Sequence, residues 1–191
     1  MATPPTILGI DPGTRFLGVV VLRGRHLLTY AVHQLRNGGN PYEAIGQARR
    51  TVFRYIEQHS PLMVAIEAPY LIASPRGAVL TVLAKEIHER ARDFGLHVRE
   101  LYPEEVRKQV TGNWRATKID VAEALTKGGF PDLARLVPKR PTRPALGLRP
   151  RDKYWLHVFD ALALAVAARE SSTSPAPARH SHSLQDDSPR R

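Results

Sequence analysis

Two short apolar runs each end in a carboxylate. Ile7-Leu8-Gly9-Ile10 leads into Asp11-Pro12-Gly13-Thr14, and Leu62-Met63-Val64-Ala65-Ile66 leads into Glu67-Ala68-Pro69-Tyr70. Continuous apolar runs bounded by turn formers read as buried strands. An acid at the end of such a strand sits at the sheet's edge, where chemistry can reach it. Between the two runs, Phe16–Leu22 and His26–Val32 are predicted strands joined by a tight hairpin at Arg23-Gly24-Arg25. Asn37-Gly38-Gly39-Asn40-Pro41 is a loop, after which Ile45, Ala48, Val52 and Ile56 recur at helical spacing until Gln58.

The alternation of elements continues beyond Glu67. Arg76 to Asp93 predicts a helix, with Val79, Val82, Leu83 and Ile87 to one side and Gly95 near its end. Leu96–Leu101 is a fifth strand, Pro103 opens a brief helix to Val110, and Lys118–Lys127 makes another. Pro131 to Pro150 is rich in Pro and Arg and reads as an extended connection. Lys153–Arg169 is the last helix, its broad apolar face made by Trp155, Leu156, Phe159, Leu162, Ala163 and Val166. After Glu170 the chain turns to Ser, Pro, Ala and His without periodicity. The expected organisation is one domain over 1–170 and a disordered tail over 171–191.

Three strands, a helix, a strand, a helix, a strand and helices make an α/β domain with a mixed sheet. A right-handed crossover brings the fourth strand parallel to an earlier one. If its neighbour is the first strand, Asp11 and Glu67 emerge side by side, although periodicity does not decide that adjacency. His157 and Asp160, three residues apart on the last helix, share a face. Three carboxylates gathered in one small space repel, and some must stay protonated unless a cation compensates them. Oxygen-rich sites of this kind suit Mg²⁺ or Mn²⁺, which points to metal-dependent phosphoryl transfer. Taken singly, Asp11 also fits a turn before Pro-Gly, Glu67 a surface residue, and His157 an ordinary helix-surface histidine.

Charge narrows the partner. The 191 residues hold 28 Lys plus Arg against 18 Asp plus Glu, a net charge of +10, of which only +1 falls in 171–191. A folded part so basic suits a polyanion, and nucleic acid is the commonest. With no cysteine in the chain, disulfides, thiolate metal sites and thiol nucleophiles are excluded. Met1 to Thr6 lacks the marks of a signal peptide, and no segment approaches a membrane span, so a soluble intracellular protein without membrane association is expected.

Three segments, in order, resemble the RuvC Holliday-junction resolvases. They are Ile7-Leu8-Gly9-Ile10-Asp11-Pro12-Gly13-Thr14-Arg15, Ala65-Ile66-Glu67, and His157-Val158-Phe159-Asp160-Ala161-Leu162-Ala163-Leu164-Ala165. A further likeness runs from Val106-Arg107 through Val110, Gly112 and Ala116 to Lys118 and Val121. The first segment alone is shared with actin-like ATPases and sugar kinases; the ordered set is far more specific. The resemblance implies a ribonuclease-H-like fold with a five-stranded mixed sheet, three strands antiparallel and two parallel, flanked by helices. It implies a catalytic, metal-binding set of Asp11, Glu67, His157 and Asp160 holding two Mg²⁺ ions, with Mn²⁺ able to substitute. The position of His157 is Asp in some members and His in others.

The same resemblance implies paired cuts in four-way junction DNA that leave 5′ phosphates and 3′ hydroxyls. It implies a homodimer formed through the helix after Tyr70, a RuvAB-type branch-migration complex as partner, and a place in the bacterial cytosol or nucleoid. Lys118 and Arg107 match positions whose charge meets the DNA backbone, and Tyr70 matches an aromatic that stacks at the opened junction centre. Arg76, read from its place in the following loop, is a candidate phosphate contact. That loop, Leu71 to Gly77, lacks the Asn of many members. The stretch from Pro138 to Arg151, which includes Lys139, Arg140 and Arg143, is longer and more basic than usual and reads as an added DNA-contact loop. The alternatives are a relative that acts on RNA or other branched nucleic acid, and a junction-binding protein that does not cut.

Overall fold

The computed structural model describes residues 3–36, 40–68, 75–141 and 147–172. Strands β1 (Thr6–Pro12), β2 (Phe16–Arg23) and β3 (His26–Gln34) form an antiparallel meander. Helix α1 (Pro41–His59) crosses over to β4 (Met63–Glu67), and α2 (Pro75–Asp93) crosses over to β5 (His97–Leu101). The sheet order is β3-β2-β1-β4-β5, with β4 parallel to both β1 and β5. This is the mixed five-stranded sheet that the hydrophobic pattern and the resemblance implied. The open adjacency is also decided, because Ile10 pairs with Ile66, so Asp11 and Glu67 follow on neighbouring strands.

Helices α3 (Pro103–Thr111), α4 (Lys118–Lys127) and α5 (Pro150–Ser172) complete the α-helices of the described residues. Each face of the sheet has its own core. Leu8, Ile10, Val19, Val21, Val64 and Ile66 pack under α1 and α2 with Val52, Ile56, Leu83 and Ile87. Ile7, Val20, Leu22 and Ala65 face α5, whose Val158, Phe159, Leu162 and Val166 are almost fully buried. Strand residues alternate between the two cores as the pleat requires.

Two glycines decide how closely α5 approaches. A Cβ on Gly9 would stand 2.2 Å from the Ala161 carbonyl oxygen, and one on Gly18 would stand 2.2 Å from that of His157. Only glycine admits the helix backbone at that distance. Small residues on the helix side, among them Ala161 and Ala165, meet the same need.

The stretch after Pro131 differs from expectation. Pro131–Leu136 is a 3₁₀ helix, not extended chain. Leu133 and Leu136 eclipse at its three-residue period and are both buried in the α5-side core. The last helix begins at Pro150, three residues before the expected start, because proline suits a first helical position. It also runs three residues further, to Ser172, while residues 173–191 of the expected tail lie outside the described residues.

Candidate active site

Asp11 stands near the end of β1 and is buried. Glu67 ends β4, held there because the next residue, Ala68, donates its N–H to the Leu101 carbonyl and extends the ladder to β5. Asp160 and His157 come from α5, one turn apart, over the same end of the sheet. His157 Nδ1 lies 2.5 Å from Asp11 Oδ2. Lys118, the first residue of α4, donates from Nζ to Asp160 Oδ2. The four residues expected to form the site are thus gathered at one edge, together with two of the expected DNA contacts, Lys118 and Arg107.

A cavity of about 210 Å³ opens at this edge. Glu67, Asp160, Arg107 and Lys118 give it charge, and Pro103, Val106, Val121, Ala163 and Leu164 give it apolar walls. Burial pushes the Glu67 carboxyl up to about 7, with the charges of Asp11 and Asp160 adding to the rise and Lys118 and Arg107 opposing it. Burial, followed by Asp11, also raises the Asp160 carboxyl, against the pull of Lys118 and His157. Burial draws the Lys118 ammonium down, but Asp160, Asp11 and Glu67 outweigh it and hold the group above its ordinary value. Three carboxylates therefore crowd around one ammonium, one guanidinium and one imidazole, and the raised Glu67 and Asp160 carboxyls show that this compensation is incomplete.

A site of this kind accepts hard divalent cations, and the donor set of carboxylate oxygens and one imidazole fits them. Among the described residues, no three acidic or histidine groups already form a closed metal cage. In this arrangement the Lys118 ammonium sits on Asp160 and the His157 ring on Asp11.

Three supports of the site have no motif of their own. Phe16, at the start of β2, packs its ring 5.6 Å from that of His157. Tyr154 meets Phe16 edge-on at 5.5 Å and donates its hydroxyl to the Val32 carbonyl at 2.8 Å, which braces the imidazole from β3. Thr117 and Asp120 form a reciprocal capping box at the start of α4, directly beside Lys118. An aromatic at a strand start and a Thr-x-x-Asp before a helix were the available signals, but the first reads equally well as core.

The remaining expected contacts divide. Arg107 lines the cavity. Arg140, beyond the 3₁₀ helix, reaches across to α4, where its guanidinium donates to Asp120 Oδ1 at 2.6 Å and to Glu123 Oε1 and Oε2 at 3.3 and 3.1 Å. Its neighbour Lys139 is exposed. Tyr70, residues 71–74 of the following loop and Arg143 lie outside the described residues, as does the side chain of Arg76.

Known proteins resemble this chain in sequence and in fold. A family model described as "Crossover junction endodeoxyribonuclease RuvC" matches residues 7–127. The crossover junction endodeoxyribonuclease RuvC of Chlorobium phaeobacteroides is 32% identical over 63% of this chain and 67% of its own. That of Anaeromyxobacter sp. (strain K) is 32% identical over 67% of this chain and 72% of its own. Thermus thermophilus RuvC, solved in complex with Holliday junction substrate, superposes with a TM-score of 0.65 at 22% identity, covering 87% of this chain and 94% of that one. The superposition extends the likeness past Lys127 to the helix that supplies His157 and Asp160. A family match over well over half its length, joined to that shared fold, makes this chain a member of the RuvC family of crossover junction endodeoxyribonucleases.

Proposed function

We propose that this chain resolves four-way DNA junctions by metal-dependent phosphodiester hydrolysis at the Asp11–Glu67–Asp160 edge. The observation that carries this reading is the β1–β4 register, Ile10 opposite Ile66, which sets two strand-end carboxylates side by side beneath Asp160. Asp11, Glu67, His157 and Asp160 would hold two Mg²⁺ ions, or Mn²⁺ in their place. Such ions, when bound, lower the pKa of water and neutralise the charge that develops on the leaving 3′ oxygen. The products are a 5′ phosphate and a 3′ hydroxyl.

The chain's own residues do the rest. Apolar walls from Val106, Val121 and Leu164 limit water at the cavity and strengthen the electrostatics inside it. Lys118 and Arg107 present positive charge to the scissile phosphate. Lys118 holds Asp160 ionised until substrate and cations arrive, then is free to turn its ammonium to a phosphate oxygen. Phe16 and Tyr154 keep the His157 ring against Asp11. Tyr70 and Arg76 extend the contact toward the junction centre, and Lys139 toward a flanking arm.

A junction has two-fold-related strands, so a C2 homodimer matches it with paired active sites. Helix α2 supports that assembly. Leu83 and Ile87 are buried inward, whereas Val82 is 42% exposed on the outer side. A RuvAB-type branch-migration complex is the further partner. No helix among the described residues is long and apolar enough to cross a membrane, and the proposed site of action is the bacterial cytosol or nucleoid.

The test is cleavage of a labelled synthetic four-way junction against matched linear duplex, with Mg²⁺ or Mn²⁺, by wild type and Asp160→Asn. Paired symmetric nicks in the junction, lost in the variant, are expected. Tight junction binding without cutting under either metal would overturn the nuclease reading. Equal treatment of junction and duplex would shift it to another nucleic acid.

A further inference from the structure

A second hollow, this one basic, lies on the other face of the sheet, between the end of β3 and α1. It encloses about 440 Å³ and is lined by His33, Gln34, Leu35, Gln47, Arg50, Thr51 and Arg54. No carboxylate is among its lining residues. Arg50 and Arg54 are exposed, one helical turn apart on α1, and neither makes an ion pair among the described residues. Their neighbour Arg49 is different, since it turns to α2 and pairs with Glu86 at 3.5 Å. The two guanidinium groups therefore line a concavity whose other polar groups, His33, Gln34, Gln47 and Thr51, include no carboxylate, while Arg50 also borders a neighbouring hollow that holds Glu86, Glu89 and Asp93.

The walls are fixed in place. The Gln47 side chain accepts from the Arg36 N–H at 3.0 Å and donates to the Arg36 carbonyl at 2.6 Å, as a strand neighbour would. The Leu35 N–H reaches the Arg15 carbonyl at 2.8 Å, tying the hollow to the turn that follows Asp11. His33 Nε2 lies 3.1 Å from the hydroxyl of the buried Tyr55. A preorganised wall with free guanidinium forks is the arrangement that grips phosphate oxygens in pairs.

Its position points to the ligand. Gln34 pairs with Phe16, whose ring touches His157, so the hollow opens at the same end of the sheet as Asp11. Strands β3 and β1 are separated only by β2, about 10 Å at the usual strand spacing. We propose that this hollow is a second phosphate-binding site, which holds the sugar–phosphate backbone of a DNA arm leaving the catalytic edge. The inference rests on the reading of the chain as a junction nuclease, and it adds a contact on the face opposite α5. An acidic peptide would meet the same charges. The shared edge with the carboxylate site favours the nucleic-acid backbone.

The experiment measures dissociation constants for a labelled four-way junction and a linear duplex over a salt series. It compares the full wild-type chain with R50Q/R54Q, R50K/R54K and R25Q/R92Q. Arg25 and Arg92 are exposed at the opposite end of the sheet, so the last variant removes equal charge elsewhere. For R50Q/R54Q, binding should weaken ~10-fold or more at low salt, and the slope of log Kd against log salt should fall by about 1 to 2. R50K/R54K should keep the slope and lose less affinity, while R25Q/R92Q should keep both.

Wild-type affinity and slope in R50Q/R54Q would overturn the inference, an acidic peptide then being the better occupant. Equal losses in R25Q/R92Q would also overturn it, by reducing the effect to bulk charge. If R50Q/R54Q does not fold, R50K/R54K decides, since affinity equal to wild type there would overturn the fork contact. Cleavage by wild type is scored on the same junction. If it cuts neither DNA yet the slopes behave as expected, the nuclease reading fails and the phosphate site stands.

Discussion

Gly18 stands directly across from Asp11 in the β1–β2 ladder, and its missing side chain is what lets the His157 backbone close on the sheet. The contact between Asp11 and His157 thus depends on a residue that carries no chemistry. Gly18→Ala would place a methyl group 2.2 Å from the His157 carbonyl oxygen, so α5 has to move. The expected cost is about 1–3 kcal/mol of stability, seen as a lower melting temperature. Junction cleavage should fall further than stability explains, by roughly 10²-fold, because a small misplacement of a catalytic group is enough for that loss. Wild-type cleavage in a folded Gly18→Ala protein would show that the close approach does not position the site.

Much of this arrangement was legible in the chain, for physical reasons. A buried strand that ends in an acid leaves a distinct pattern, so Asp11 and Glu67 stood out, and the three-residue step between His157 and Asp160 set them on one helical face. The adjacency of β1 and β4 was not legible, because it depends on where the α1 crossover lands. The Lys118–Asp160 contact joins residues 42 positions apart, and no local pattern encodes it. Arg140 read as a free basic residue because its partners, Asp120 and Glu123, lie on another element. Pro131–Leu136 was hidden for a different reason: its composition suggested open chain while its three-residue spacing of Leu133 and Leu136 marked a 3₁₀ turn.

In the proposed function Lys118 serves the substrate, and its ion pair with Asp160 would compete with cations for that carboxylate. Lys118→Met should lower cleavage by ~10²–10³-fold, the usual loss on removing one charge-stabilising donor from an active site. The same change leaves the carboxylates with less compensation, so Mg²⁺ binding to the protein without DNA should hold or tighten. Titration calorimetry with Mg²⁺ alone separates the two effects. Weaker Mg²⁺ binding in Lys118→Met would mean that the lysine organises the metal ligands and does not compete with the ions.

Asp120 is the acid of the α4 capping box, and the Arg140 guanidinium beside it, followed by the Thr117 hydrogen bonds, holds its carboxyl down to about 2. In Arg140→Ala the Asp120 carboxyl should move back toward the ordinary carboxylate range, which carboxyl NMR reads directly. Thr117→Ala, which removes the other half of the box, should cost about 1 kcal/mol of stability. If the Asp120 titration is unmoved in Arg140→Ala, the ion pair is absent in solution and Arg140 is free to meet DNA.

The acidic edge also sets a pH dependence whose sign can be worked out. Glu67 has an ordinary value of 4.5 and titrates at about 7 in the folded protein, raised first by burial and then by Asp11 and Asp160. A carboxyl raised on folding keeps its proton longer in the folded state. Its contribution is therefore fully present below 4.5 and is lost as the pH climbs through about 7. Metal-free wild type should lose stability over that window relative to Glu67→Gln, which has no charge to bury. The gap between them should reach on the order of 2 kcal/mol by pH 8, read from chemical denaturation at each pH. Mg²⁺ at pH 8 should restore wild type, because a bound cation replaces the missing proton. Parallel stability profiles for the two metal-free proteins would show that Glu67 is solvated at the edge and that the three carboxylates do not burden the fold.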